Sequence, residues 1–137
     1  MQSLLIDTSA IFAFVTRSDK EHGAAVAFTR AWVAQGRHFV LPDVVFNESM
    51  TLLKARVGAD IAIKTGQVLR TNPAYRWTTL GVEPEAETWT IFQRYRDKAW
   101  SFTDCALLAL ARQTSISSVF SYDRHFDQMR GMTRVGD

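Results

Sequence analysis

The sequence holds one cysteine, Cys105, and three prolines in 137 residues. A single cysteine excludes an intrachain disulfide. With no CxxC pair and no Cys/His cluster, a thiolate zinc site is excluded as well. Cys105 lies in an apolar helical stretch and reads as a small core residue. The chain also lacks a long apolar run. Its first, Leu4–Ile6, is broken by Asp7 and has no basic leader before it. Neither a signal peptide nor a membrane span is expected, and the cytoplasm is the expected location. The histidines His22, His38 and His125 are scattered without zinc spacing. There is no GxGxxG and no GxSxG; "IKTGQV" carries a Lys-Thr pair without the glycine loop that would cradle a phosphate. Neither sign of charge dominates, the formal net charge being +2.

What is present fits one globular domain over residues 1–137, since 47% of the chain is hydrophobic and 22% charged. Twelve of the sixteen basic residues are arginine, which suits planar, bidentate contact with phosphate. No internal repeat, low-complexity tract or long linker interrupts the chain. "SLLI" reads as a buried strand, with Thr8 and Ser9 as N-cap residues for a short helix, "AIFAFV". "DKEHGAAVAFTRAWVAQG" has helical spacing, and "HFVLP" is the second strand. The helices "PDVVFNESMTLLKARVG" and "ADIAIKTGQVLRTNP" follow, then the strand "YRWTTL". "EPEAETWTIFQRYRDK" has acids in its first turn and bases in its last, as the helix dipole favours. "SFTDCALLALARQT" is a strongly apolar helix capped by Ser101. "SSVFSY" is a strand, "RHFDQM" one helical turn and "TRV" a last edge strand. Alternating helices and short apolar strands predict a three-layer α/β/α sandwich around a central, mostly parallel sheet of about four to five strands.

Four acids stand at positions such a fold makes functional. Asp7 and Asp123 directly follow strands, on the carboxyl edge where ligands bind. Asp104 lies three residues after Ser101, a capping-box spacing that accounts for it locally without excluding a second role. Glu48 shares a helix face with Val45 and Leu52, in or at the border of the buried stripe. An isolated acid there needs a partner, a proton or a route to water. If the four converge, their repulsion must be relieved by protons or a cation. Hard oxygen ligands without cysteine or histidine select Mg²⁺ or Mn²⁺. His125 reads as a surface or packing residue, with contact to a phosphate as the alternative. The four tryptophans suit core or subunit packing.

The segments "LLIDTSAIFAF", "NES" around Glu48, "DKAWSFTDCALLALA" and "VFSYDRHFDQM" together resemble the PIN-domain ribonucleases, specifically the VapC-type toxins of toxin–antitoxin pairs. The resemblance covers essentially the whole chain and rests on the order of the four segments. It implies a metal-dependent endoribonuclease acting on structured RNA such as tRNA or rRNA. Asp7, Glu48, Asp104 and Asp123 would form its catalytic, metal-binding pocket, with Asp7 and Asp104 the surest ligands. Asp127 is an alternative to Asp123. Thr8, Ser9 and Ser101 match hydroxyl positions that orient carboxylates or a water, and Asp97 is structural or peripheral. It further implies a homodimer and a VapB-type antitoxin, assembling as a heterotetramer or larger. A non-catalytic RNA-binding or adaptor module of the same fold is the alternative. A phosphoacceptor role for Asp7 is disfavoured because Ser9, not an acid, stands two residues on.

Overall fold

The computed structural model describes residues 3–137. In chain order the elements are β1 (Ser3–Ile6), α1 (Thr8–Val15), α2 (His22–Ala34), β2 (His38–Pro42), α3 (Asp43–Arg56) and α4 (Ala59–Thr71). Then come β3 (Tyr75–Thr78), α5 (Val82–Arg94), α6 (Phe102–Thr114), β4 (Ser118–Phe120), a 3-10 turn (Arg124–Gln128) and β5 (Thr133–Val135). Every element expected from the sequence is present, with local differences. Asp7, in extended backbone, is the N-cap of α1, so Thr8 and Ser9 lie inside the first turn. β3 stops at Thr78, and the Leu80 N–H turns away to donate to Asp43 Oδ1 at 3.1 Å. β4 stops at Phe120, so Asp123 stands three residues beyond the strand rather than directly after it.

The sheet has the order β3-β2-β1-β4-β5, and all four pairings are parallel. The chain leaves β1 toward β2 and β3, then returns to place β4 on the opposite side of β1. That reversal makes the gap between the carboxyl ends of β1 and β4 the switch point of the sheet, where a crevice opens. Right-handed crossovers put the β3-to-β4 connection, α5 and α6, on the face opposite the earlier helices. On the first face, α1, α2 and α4 meet Ile6, Tyr75 and Phe120. In α6, every residue from Asp104 to Ala111 is buried, as expected of a helix enclosed between sheet and neighbour; its partner is α5.

Aromatic rings run through the core. Phe120 packs on Phe28 at 4.5 Å and on Phe39 at 5.6 Å between ring centres, and Phe39 stacks on Tyr75 at 5.5 Å. Cys105 is a buried free thiol, as expected. Of the tryptophans, Trp32 and Trp100 are buried while Trp77 and Trp89 are exposed.

Phe120 is fully buried and is the last residue of β4, so its packing sets where the following loop begins. Phe120→Ala is expected to cost about 3–5 kcal/mol, read as a lower urea midpoint at unchanged m-value. An unchanged midpoint would contradict this account of the core.

Candidate active site

The site grows from the end of β1. Asp7 is 3% exposed, yet it carries the first charge after three apolar residues. Its Oδ2 accepts hydrogen bonds from Ser9 Oγ and Ser121 Oγ, each at 2.8 Å, and a longer one from Ser9 N at 3.4 Å. Each hydroxyl has one proton to give. Ser9 Oγ also accepts from Tyr122 N at 3.0 Å, and Ser121 Oγ accepts from Asp123 N at 2.9 Å. Both hydroxyl protons therefore go to Asp7, and the 3.0 Å approach of Ser9 Oγ to Ser121 Oγ follows from that shared target. Asp7 Oδ1 has no hydrogen-bond partner among the described residues.

Asp104 reaches the same place from the start of α6. The capping box is real: Ser101 Oγ accepts from Asp104 N at 3.0 Å, and Ser101 N donates to Asp104 Oδ2 at 2.9 Å. The helix thus fixes the carboxyl group, and the carboxyl group also faces the loop after β4. There Asp123, N-cap of the 3-10 turn, accepts from His125 N at 2.9 Å. The His125 ring enters between the two acids, with Nδ1 3.0 Å from Asp104 Oδ2 and 3.2 Å from Asp123 Oδ1. With two acceptors facing it, Nδ1 carries a proton. Asp104, Asp123 and His125 offer ligand atoms that all lie within 4.8 Å of one another.

Burial and crowding act together on these acids. Burial pushes the Asp7 carboxyl from 3.8 up to about 6; the Ser121 and Ser9 hydroxyls oppose the rise, and the charges of Asp104 and Asp123 add to it. Asp104 is also raised by burial, opposed by the Ser101 backbone N–H and by His125, with Asp123 pushing the same way as burial.

The remaining expected residues are placed differently from one another. Thr8 is buried, with Ser49 Oγ 3.4 Å from its Oγ1, which links α3 to α1. On α3 the fully buried line is Val45, Ser49 and Leu53; Glu48 lies beside it, half-buried. Glu48 therefore occupies the border of the apolar stripe. It shares a groove with Phe102 and Thr103 at the start of α6 and, among the described residues, is not part of the close ligand group of Asp104, Asp123 and His125. Asp127 turns away to Arg134 at 3.0 Å, which leaves Asp123 as the acid of this turn that faces the centre. Asp97 is exposed beside Lys98.

Two residues outside the expected set belong here. His125 is neither a surface nor a packing residue but bridges two acids. Ser121, fully buried, is the mirror of Ser9, a small hydroxyl at a strand end. Its signal was that position, hidden because "SSVFSY" read as strand to its end. Beside Ser9 opens a groove of about 360 Å³ rimmed by Lys20, Arg56, Arg124 and Arg134 as well as Asp19 and Glu21. Arg134 is held by Asp127 and Asp137, whereas Lys20, Arg56 and Arg124 form no ion pair among the described residues.

Known proteins share the fold. A family model described as "PIN domain" matches residues 4–132. The 23S rRNA-specific endonuclease VapC20 of Mycobacterium tuberculosis is 25% identical over 123 residues, covering 90% of this chain and 91% of that protein. The crystal structure of VapC20, described as a sarcin-ricin loop cleaving toxin, matches with a TM-score of 0.81 at 24% identity, over 91% of this chain and 93% of that one. VapBC2 from Rickettsia felis, bound to a DNA fragment from its promoter, matches with a TM-score of 0.70 at 7% identity, over 97% of each chain. At these identities the two structural likenesses bear on the fold.

The buried acid gives a pH signature in metal-free protein. Asp7 has a higher pKa folded, about 6, than unfolded, 3.8. Its contribution to stability is therefore full below about pH 4 and is lost as pH rises through about 6. With EDTA present, the stability of Asp7→Asn relative to wild type is expected to rise by about 2.5 kcal/mol between pH 4 and pH 7.5. Urea denaturation across that range measures it, and a difference independent of pH would contradict the burial of an ionisable Asp7.

Proposed function

The chain belongs to the PIN-domain family, and on that premise we propose that it is a divalent-metal-dependent endoribonuclease, the toxin of a VapBC-type pair, with Asp7, Glu48, Asp104 and Asp123 as its catalytic acids. The observation that carries this reading is the meeting of two buried carboxylates, Asp7 and Asp104, with Asp123 at the switch point of the sheet. The donors are hard oxygens. The nearby Cys105 is not a competitor, because burial pushes its thiol up to about 11. Such a set fits Mg²⁺ or Mn²⁺; burial, with the charges of Asp104 and Asp123 adding to it, raises Asp7, and a cation would relieve both. Asp7, Asp104 and Asp123 would hold it, with Glu48 contributing from the α3 side. The chemistry supplied by such a cation, when bound, is Lewis-acid stabilisation of charge that builds on phosphodiester oxygens.

The chain's own residues do the positioning. Ser9 and Ser121 fix one oxygen of Asp7 and leave the other uncommitted. The Ser101 backbone fixes Asp104 in the same way. Glu48, half-buried and without a polar partner among the described residues, is free to take a proton from a water beside the phosphate. Lys20, Arg56 and Arg124, on the groove that adjoins Ser9, are suited to contact the RNA backbone and align it with the acids. One relative acts on 23S rRNA, so ribosomal RNA is the first substrate to test. Exposed Ile61, Ile63 and Val68 on α4, with Val82, Trp89 and Phe92 on α5, supply apolar surface suited to a second copy and a VapB-type antitoxin. No helix among the described residues is long and apolar enough to cross a membrane; activity on cellular RNA argues for the cytoplasm.

Purified protein is expected to cut ribosomal or transfer RNA with Mg²⁺ or Mn²⁺ and to leave it intact with EDTA. Asp7→Asn and Asp104→Asn should each lower the rate by at least about 100-fold, while Asp97→Asn, at an exposed position, should not. Lys20→Ala with Arg124→Ala should weaken RNA binding and reduce its salt slope by about 2. Mapping RNA ends checks cleavage, and intact RNA with either metal would overturn the proposal.

A further inference from the structure

The acids above are those expected of an all-oxygen site, but the structure sets a nitrogen among them. His125 Nδ1 stands 3.0 Å from Asp104 Oδ2 and 3.2 Å from Asp123 Oδ1, and the three atoms lie within 4.8 Å of one another. We propose that His125 is itself a metal ligand, so that this chain offers its cation a mixed nitrogen-and-oxygen site selective for Mn²⁺ over Mg²⁺. The inference rests on reading the acids as a cation site and adds a residue to it.

Three observations support it. The first is spacing. Adjacent ligands of an octahedral ion with bonds of about 2.1–2.2 Å are about 3.0–3.1 Å apart, close to both His125 separations. The same atoms that share a proton are therefore placed to share a metal with little movement. The second is rigidity. The His125 backbone N–H is bonded to Asp123 Oδ1 at 2.9 Å, and the ring sits one residue before the fully buried Phe126. Backbone and side chain of one residue thus both converge on Asp123. The third is chemistry. An N–H that faces two carboxylate oxygens stands where a cation would stand. As a ligand the ring would be neutral, with its one proton on Nε2 and the Nδ1 proton passed to solvent, from which Nε2 is supplied where it was bare.

An imidazole nitrogen suits Mn²⁺ better than Mg²⁺, which prefers oxygen and gives up water reluctantly. The site should therefore bind Mn²⁺ more tightly than Mg²⁺ by a margin that depends on His125.

The direct test is pulsed electron paramagnetic resonance of Mn²⁺ bound to wild type grown with ¹⁴N- or ¹⁵N-histidine. Directly coordinated imidazole should give nitrogen modulation that changes with the isotope and disappears in His125→Gln. The same variant should lose at least about ten-fold in Mn²⁺ affinity and much less in Mg²⁺ affinity, both by calorimetry. Circular dichroism checks that the variant is folded, and the wild-type spectrum is decisive even if it is not. Bound Mn²⁺ without histidine nitrogen modulation, or modulation that persists in His125→Gln, overturns the inference. If RNA is still cut in that case, the nuclease reading stands on oxygen ligands alone. Failure of wild type to bind Mn²⁺ at millimolar concentration overturns both.

Discussion

A carboxylate held in the interior by two hydroxyls, one from each side of a sheet reversal, is the constraint on which this molecule depends. Ser9 follows β1 and Ser121 follows β4, more than a hundred residues later, and both hydrogen-bond the same oxygen of Asp7. That geometry exists only if β1 and β4 are adjacent and parallel with their carboxyl ends level. Adjacency requires the chain to go out through β2 and β3 and return. The return is made by α5 and α6, and the first turn of α6 then delivers Asp104 to the same edge. The central position of β1, the length of the β3-to-β4 connection and the buried middle of α6, Asp104 to Ala111, are therefore parts of one arrangement.

The arrangement carries a cost that the core must cover. Burial raises the pKa of both Asp7 and Asp104, and each acid feels the Asp123 charge. The apolar surface beneath them, from Leu4–Ile6, Val119 and Phe120, supplies the cohesion that holds the charged edge together. Phe120 is the hinge between the two requirements. Its ring is locked by Phe28 and Phe39, and the next residue is the serine that reaches Asp7.

Much of this was legible in the sequence. The helix–strand alternation gave the layers, and an acid closing an apolar strand pointed to the edge of the sheet. Ser101 and Asp104 are read correctly as a capping box because that motif is local, three residues long and set by backbone geometry. What could not be read is what depends on distant residues or on phase. Ser121 is one strand residue or one site residue depending on where β4 stops, which its pairing with β5 decides. His125 looks unremarkable until α6 brings Asp104 against it. Glu48 and Ser49 are neighbours on one helix, and a rotation of about 100° per residue decides which is sealed and which opens to the groove. Periodicity placed Glu48 in the stripe or at its border; packing put it at the border and gave the interior to Ser49.

The kind of donor chosen for each buried acid separates a site from a structural cluster. Acids kept for stability are best satisfied by a guanidinium or ammonium, which cancels the charge where it stands. Here Asp7 is held by two neutral hydroxyls and Asp104 by a backbone N–H, donors that orient a carboxylate without neutralising it. The sequence has arginine to spare, yet Arg134 is committed to Asp127 and Asp137, and Arg56 and Arg124 stand on the adjoining groove. On the proposed reading, a fixed cation at the centre would leave nothing for an exchangeable one to do. By keeping its permanent positive charge at the rim, the fold preserves a concentrated negative charge at the switch point. Histidine, whose charge is conditional and whose lone pair can bind metal, is the one nitrogenous side chain among the described residues bonded to those acids.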